Sequence, residues 1–589
     1  MGLVSELRRR NVLRMAVLYV VAAWLIMQVA EVIIGLANLP EWIGLTILGL
    51  LAVGFPIALI LSWFYELTPE GISLEKDVAA AESITHVTGR RMDFVFISLL
   101  CAAVILFAYD KWWIGPPPEK SIAVLAFENM SDEPGQEYFS DGVSEELLNL
   151  LAQIPELTVI SRSSAFSFKG KDVAVPEIAK QLNVAHVLEG SVRKAGNRVR
   201  ITAQLIEVSS DSHLWSEAYD RELDDIFAIQ EDIARVIARE ILAHLRGFES
   251  RQVSTRNLEA YDIYLKGRRP VNPEAYEAYL KGRHHLNKWT VEGFTKGLEY
   301  FQQAVEMDPD YALAHAGLAE SYSYLGLWGV ISPKEAYPKS KAIVMKALEL
   351  DDTLAEAHAL LGDVRFFYDW DWDGTEREYK RAIELNPSYA IAHNNYAFYF
   401  TALTRHDDAL AEIRRARELD PVSLPINSDL GWAHYFARQY DQAILQFRRA
   451  LELDPNLAIS QFALGHVYLQ KEMFVESVAA FQKAVSLSPS DLESIAGLGH
   501  AYAVAGRRGE ALKIVARLKQ PSEHMQVPSW GIATIYIGLD NKDEAFVWLE
   551  KAFVDRHPQL VYIQTDPVLD PLRSDPRFQV LVRRMDFPE

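Results

Sequence analysis

Two stretches of this 589-residue chain decide its fold: Asp429-Leu-Gly-Trp-Ala-His-Tyr-Phe-Ala-Arg-Gln-Tyr-Asp-Gln-Ala-Ile-Leu-Gln-Phe-Arg-Arg-Ala-Leu-Glu-Leu-Asp-Pro455, and Ala463-Leu-Gly-His-Val-Tyr-Leu-Gln-Lys-Glu-Met-Phe-Val-Glu-Ser-Val-Ala-Ala-Phe-Gln-Lys-Ala-Val-Ser-Leu-Ser-Pro489. Offset by 34 residues, they align Leu430 with Leu464, Gly431 with Gly465, Phe447 with Phe481, Ala450 with Ala484 and Pro455 with Pro489. Pro387 and Pro421 continue the interval upstream, and each of the four prolines follows Glu-Leu-Asn, Glu-Leu-Asp or Ser-Leu-Ser. With Pro455 as position 32, the small residues at positions 8 and 20 let two helices cross closely, and the aromatic at 24 fills the space between hairpins. These residues therefore read as core, not as ligands.

A 34-residue period of this kind is the tetratricopeptide signature, and the stretch resembles that family. Weaker copies extend the array in both directions: Leu318-Ala319, Tyr322 and Ala347; Leu361-Gly362 and Ala382; Tyr396-Ala397, Ala409 and Ala416; then Leu498-Gly499 with Tyr502, and Ala533, Tyr536, Ala545 and Ala552. With an opening copy ending at Met307-Asp308-Pro309, about eight hairpins are expected over residues 287–559, stacked as a superhelical solenoid with a long concave face. Positions 2, 5, 9, 12 and 13 of each first helix share one face at helical spacing. They supply a candidate partner groove of Asn394, Phe398, Trp432, Tyr435, Phe462, His466 and His500. An aromatic, partly polar groove suits an extended peptide or an apolar helix; the competing expectation packs these rings against neighbouring helices. The lysine-and-asparagine clamp that some tetratricopeptide proteins close on C-terminal carboxylates is not reproduced.

Residues 120–245 read as a small α/β domain. Ile122 to Phe127 is a nearly continuous apolar run, as in a strand buried on both faces. Val143 to Ile154 carries leucines at helical spacing, Leu157 to Ser161 reads as a strand and Val175 to Leu182 as a helix. Strands at Val187–Arg193, Arg198–Val208 and His213–Tyr219 follow, the first two joined by a turn at Ala195-Gly-Asn197, and Ile226–Leu245 closes the unit as a long helix. Lys120-Ser-Ile-Ala-Val-Leu125, Tyr138-Phe-Ser-Asp-Gly142, Phe168-Lys-Gly-Lys171, Leu188-Glu-Gly-Ser-Val-Arg193 and His213-Leu-Trp-Ser-Glu-Ala-Tyr-Asp-Arg221 resemble the domain similar to the amino-terminal domain of TolB. The resemblance implies a bacterial protein whose α/β domain sits beside tetratricopeptide repeats, in a family sometimes fused to a class III adenylate cyclase or a winged-helix regulator. It transfers no catalytic residue. Arg162, Ser163, Ser164, Lys169 and Lys171 form a weak candidate anion site, since hydroxyls and cations can meet an anion. They lack the glycine spacing of a phosphate loop, and serines that satisfy the local backbone are the competing reading.

Between domain and repeats, residues 246–286 read as a linker with a tandem duplication: Asn257 to Val271 is repeated as Asn272 to Leu286, and the second copy runs into the first repeat. Residues 560–589 are expected to cap the solenoid.

The first fifth of the chain is apolar. Met15–Leu36, Trp42–Tyr65 and Phe94–Lys111 each approach the roughly 20 residues a helix needs to cross a bilayer, and are expected to be three transmembrane helices. Arg8, Arg9, Arg10 and Arg14 in stub 1–14, and Lys76, Arg90 and Arg91 in loop 66–92, place those segments in the cytoplasm by the positive-inside rule. The expectation is therefore a multi-pass bacterial inner-membrane protein with a cytoplasmic N-terminus, a proline spacer at 114–119 and periplasmic C-terminal domains. Glu31, inside the first span, is either a functional group or simply within reach of the interface.

Composition prunes the functions. With 80 acidic against 59 basic side chains and a net charge of −21, the chain lacks the basic footprint of nucleic-acid binding. It has no phosphate loop, no His-Glu-x-x-His and no Gly-x-Ser-x-Gly, and the lone Cys101 lies in the third apolar run. The pair His284-His285 has no carboxylate at ligand spacing. No catalytic, cofactor or metal site is expected, and a cyclase domain has no room. The sequence thus reads as a multidomain, mainly α protein: three spans, a TolB-like α/β domain and a tetratricopeptide solenoid that recruits protein or peptide partners in the cell envelope. The alternative is a membrane sensor whose α/β domain takes a small anionic or nucleotide-like ligand. No oligomeric state follows.

Overall fold

The computed structural model describes Ala16, Tyr19, Ala23, Leu51, Gly54–Pro56 and residues 65–68, 71–74, 117–131, 135–210, 212–222, 226–244, 272–520 and 527–588. Met1–Gly115 and Pro116–Glu589 are two separate compact units.

The first unit corrects the expectation of a membrane anchor. Among the described residues no helix is long and apolar enough to cross a membrane. Most of the three expected spans lies outside the described residues, as do Glu31 and Cys101. Where the second span was expected to end, strand β1 (Tyr65–Thr68) begins instead and pairs antiparallel with β2 (Gly71–Leu74), which falls in the expected cytoplasmic loop. Tyr65 thus takes its backbone partner from Leu74 across a hairpin rather than from a helical turn. The three-span fold class, the multi-pass inner-membrane placement and the bilayer contact are not retained.

The second unit begins with a mixed sheet. Strands β3 (Ser121–Val124), β4 (Glu128–Asn129), β5 (Thr158–Val159), β6 (His186–Ala195), β7 (Arg198–Glu207) and β8 (Ser212–Glu222) run in the spatial order β5-β3-β6-β7-β8, with β4 also on β6. β3 is parallel to β5 and β6, while β6, β7 and β8 form an antiparallel meander. Every residue of β3 is buried because both sheet faces are covered there. Ile122 and Val124 meet helix α1 (Glu137–Ala152) through Val143, Leu147 and Leu151, while Ala123 meets the opposite layer around Ile178 and Leu182. A short helix α2 (Arg162–Phe166), not anticipated from the sequence, follows β5; α3 (Val175–Leu182) and α4 (Ile226–His244) complete the domain.

The solenoid follows as eight antiparallel helix pairs among the described residues. They are α5 (Pro273–Leu286) with α6 (Val291–Met307), α7 (Ala312–Leu327) with α8 (Pro333–Leu350), α9 (Ala355–Val364) with α10 (Trp372–Leu385), and α11 (Ala390–Ala402) with α12 (His406–Leu419). After these come α13 (Leu424–Phe436) with α14 (Tyr440–Leu453), α15 (Ala458–Gln470) with α16 (Phe474–Leu487), α17 (Leu492–Val504) with α18 (Arg508–Leu518), and α19 (Ser529–Gly538) with α20 (Lys542–Asp555). The close crossing is visible at position 8: a Cβ on Gly431 would lie 2.5 Å from Phe447, and one on Gly465 2.6 Å from Phe481. The first pair opens at Pro273, within the stretch read as linker, because the second duplicate copy is α5; the first copy lies outside the described residues. Asn272 caps that helix by accepting from the Glu274 and Ala275 amides.

One apolar core runs from the sheet through α1 into α5, α6 and α7. The α/β domain and the first repeats are thus buried against each other. At the far end the chain continues through turns Pro558–Tyr562 and Pro567–Leu572 into α21 (Pro576–Arg584). These do more than cap the last pair, because they return to the third: Trp372 Nε1 donates to the Met585 carbonyl at 2.9 Å and its ring stacks on Phe587 at 4.3 Å.

Candidate functional site

The candidate surface is the concave face of the solenoid. Counting from the Leu-Gly, Leu-Ala or Tyr-Ala pair at positions 7 and 8, position 9 carries Glu320, Asp363, Phe398, Trp432, His466 and His500 in successive first helices. The stripe begins acidic and ends aromatic.

In the acidic half, Glu320 accepts from Arg283 at 3.0 Å and from the Tyr324 hydroxyl at 3.1 Å. Burial lifts its carboxyl above the usual range even against that guanidinium. Asp363 accepts from Tyr379 at 2.7 Å and from Asn395 Nδ2 at 2.9 and 3.1 Å. One repeat on, Asn394 Nδ2 donates to Asp429 at 3.1 Å. Burial pushes Asp363 and Asp429 each up to about 7.

In the aromatic half the rings pack on one another. Trp432 lies 5.7 Å from Phe447, 6.0 Å from Phe462 and 5.8 Å from His466, and His466 lies 5.1 Å from Phe481. Burial, with His500 nearby, drives His466 down to about 3, so its imidazole is neutral. His500 is buried, and its Nδ1–H donates to the Thr534 carbonyl at 2.5 Å.

The C-terminal turns lie across the middle of this face. Tyr562 stacks on Phe436 at 5.0 Å and meets Phe366 and Phe398 edge-on at 6.2 and 6.1 Å. Tyr435 donates to Asp566 at 3.4 Å, and Arg438 grips Asp570 with two bonds of 2.6 and 2.8 Å. Of the seven residues predicted to line the groove, Asn394, Tyr435 and His500 are therefore buried, and Phe398, Trp432, Phe462 and His466 are half-buried under neighbouring rings.

Of the five predicted anion-site residues, Arg162, Ser163 and Ser164 lie at the joint between the α/β domain and the repeats, while Lys169 and Lys171 find their partners within the α/β domain. Ser163 and Ser164 both donate to Asp420 in the turn before α13, Ser164 at 2.5 Å, and Ser164 Oγ also accepts from the Val422 amide at 2.9 Å. The Ser161 amide donates to the Leu419 carbonyl at 2.8 Å, and Ser388 bridges the Leu157 carbonyl and the Val159 amide at 3.2 Å each. Arg162 pairs with Glu145 at 2.9 Å and Lys169 with Asp141 at 2.5 Å, while Lys171 sits over the Phe168 ring at 5.8 Å. Burial opposes the charge on Glu145, but Arg283 at 2.7 Å and Arg162 hold its carboxyl below the usual range. Among the described residues no three His, Cys, Asp or Glu side chains are placed to hold a metal ion.

Sequence reasoning passed over Glu320, Asp363, Asn395, Asp429 and Tyr562. Glu320 and Asp363 were readable as position 9 of the less regular repeats; Asn395 and Asp429 sit at position 6, which the face count omits, and nothing local signals that Tyr562 folds back.

Comparison with known proteins agrees with the repeats. Family models for the tetratricopeptide repeat match residues 371–423 and 458–491, and one for the TPR repeat matches 438–472. Putative adenylate cyclase 3 of Rhizobium meliloti (strain 1021) is 32% identical over 255 residues, 42% of this chain and 41% of that protein. The chain thus matches less than half the length of that relative. Among solved structures, Pseudomonas aeruginosa pilF is 20% identical, covering 36% of this chain and 91% of its own with a TM-score of 0.29. YrrB, described as a TPR protein with an unusual peptide-binding site, is 21% identical, covering 34% and 97% with a TM-score of 0.24. The chain carries tetratricopeptide repeats.

Proposed function

We propose that this chain is a non-catalytic scaffold that receives a segment of a protein partner on the concave face of its repeats. The observation that carries the reading is the composition of that face: half-buried rings at Phe398, Trp432 and Phe462 beside the carboxylates of Asp363 and Asp429, all on first helices of successive pairs. Stacked repeats present such a face as an extended binding surface. The α/β domain, which resembles the TolB amino-terminal-like domain, holds the first pairs in place through the shared core and the ion pair of Glu145 with Arg283. The Tyr562 turn shares the face, so a partner binds beside it or displaces it.

The test is crosslinking capture with the full chain, run beside thermal shift with a metabolite panel. Reproducible protein partners without a metabolite shift support the scaffold. A metabolite that raises the melting temperature, with no captured protein, contradicts it and favours ligand sensing.

A further inference from the structure

We propose that Asp363, Asn394, Asn395 and Asp429 form a receptor for the guanidinium of an arginine side chain carried by the partner, an inference that rests on the concave face being the binding surface. The four residues make one continuous ladder over three consecutive first helices. Asn395 donates to both oxygens of Asp363 at 2.9 and 3.1 Å, Asn394 donates to Asn395 Oδ1 at 3.4 Å, and Asn394 also donates to Asp429 at 3.1 Å. Both residues are half-buried. Tyr562 lies near enough to both that they join burial in holding its hydroxyl proton.

Every donor that reaches these two carboxylates is a neutral amide or phenol: among the described residues neither carries an ion pair. The chain itself shows what the position accepts. One repeat upstream, Glu320 occupies the same position 9 as Asp363 and receives the Arg283 guanidinium at 3.0 Å. Asp363 repeats that position without the cation, and Asp429, at position 6 two first helices on, likewise lacks one among the described residues.

A second feature also points to a missing guest. Asn394 is 9% exposed, and its Oδ1, on the amide that bonds Asp429, is buried with no hydrogen-bond partner. A buried carbonyl oxygen left unmatched costs free energy. A guanidinium is a planar fork of five donors, suited to meeting a carboxylate and a neighbouring amide oxygen together. An ammonium would satisfy the charge without the fork. The chain's excess of 80 acidic over 59 basic side chains favours the approach of such a partner.

The experiment offers the full chain two pools of amidated nonapeptides with randomised Gly, Ser, Ala, Leu and Tyr flanks, one with central arginine and one with citrulline, its uncharged isostere. Retained peptides are counted by mass spectrometry. At least tenfold preference for arginine, lost in the Asp363→Asn/Asp429→Asn double variant while Glu320→Gln retains it, supports the receptor. If the double variant fails to fold by circular dichroism, Asp429→Asn alone and the arginine-to-citrulline ratio on the unaltered chain decide. Equal retention of the two pools, or no retention of either, overturns the receptor. In that event the scaffold stands if crosslinking still places a protein on the concave face, and falls with it if crosslinking places none.

Discussion

The joint between the α/β domain and the repeats and the concave face both bury charge, and Glu145 at the joint is resolved differently from Asp363 and Asp429 on the face. At the joint, Glu145 meets Arg162 and Arg283, while Asp420 is wrapped by serine hydroxyls. On the concave face, Asp363 and Asp429 are held by neutral donors alone, and burial leaves each titrating near neutrality, at about 7. The joint uses its polar groups to fix two domains against each other; on the concave face, among the described residues, Asp363 and Asp429 carry no ion pair.

The comparison breaks most visibly at Glu145. Its substitution by glutamine leaves Arg162 without its anion and Arg283 with Glu320 alone. The expected loss is about 3 kcal/mol of unfolding free energy in urea titration, since stranding a buried charge costs far more than an exposed pair returns. A loss under about 1 kcal/mol would mean that the joint is as solvated as an ordinary surface.

Next in size is Gly431→Ala. The added methyl meets Phe447 at 2.5 Å, so the fifth pair must open or the ring must leave its rotamer. Overpacking of this kind costs about 1–3 kcal/mol. Gly509→Ala, where nothing lies within 4 Å, is the matched control and is expected to leave the melting temperature unchanged.

Asp429→Asn is predicted to act in the opposite direction. A carboxyl whose folded pKa is raised gives its full support only below the unfolded value of about 4, and loses it progressively as pH climbs to the folded value near 7. The substitution keeps an acceptor for Asn394 and removes the titration. Its advantage over the unaltered chain should therefore grow from pH 4 to pH 7 and level off above, reaching roughly 1–2 kcal/mol once its partial exposure is allowed for. A pH-independent difference would show that Asp429 is fully solvated.

The smallest effect belongs to Arg438→Ala. The pair with Asp570 is bidentate but exposed, worth about 0.5 kcal/mol. Its readout is limited proteolysis: faster cleavage within 558–575 with little change in melting temperature.

Much of this was legible in the sequence, and the remainder has physical causes. The 34-residue period places the repeat helices because each pair must bury the same small-against-aromatic contact, as Gly431 and Phe447 or Gly465 and Phe481 do. The alternation Val199, Ile201, Ala203, Leu205 foretells β7, all four being buried on one face. What local pattern cannot carry is return contact. Nothing near Ser163 announces Asp420, 257 residues away, and nothing near Tyr435 announces Asp566, 131 residues on. Hence rings at concave spacing read as an open groove, while Tyr562 and neighbouring rings cover several of them. The apolar N-terminal runs mislead in another way: hydropathy measures length and composition, whereas at Tyr65 the chain pairs its backbone in a hairpin.

The central claim is that the partner contacts the concave face. It is tested most directly by placing a photo-crosslinking phenylalanine at Phe398, on a first helix, and in a separate variant at Val475, 82% exposed on a second helix, in the full chain. The account predicts a discrete protein adduct from position 398 that is absent from position 475. Adducts at 475 alone, or at neither position, would contradict it.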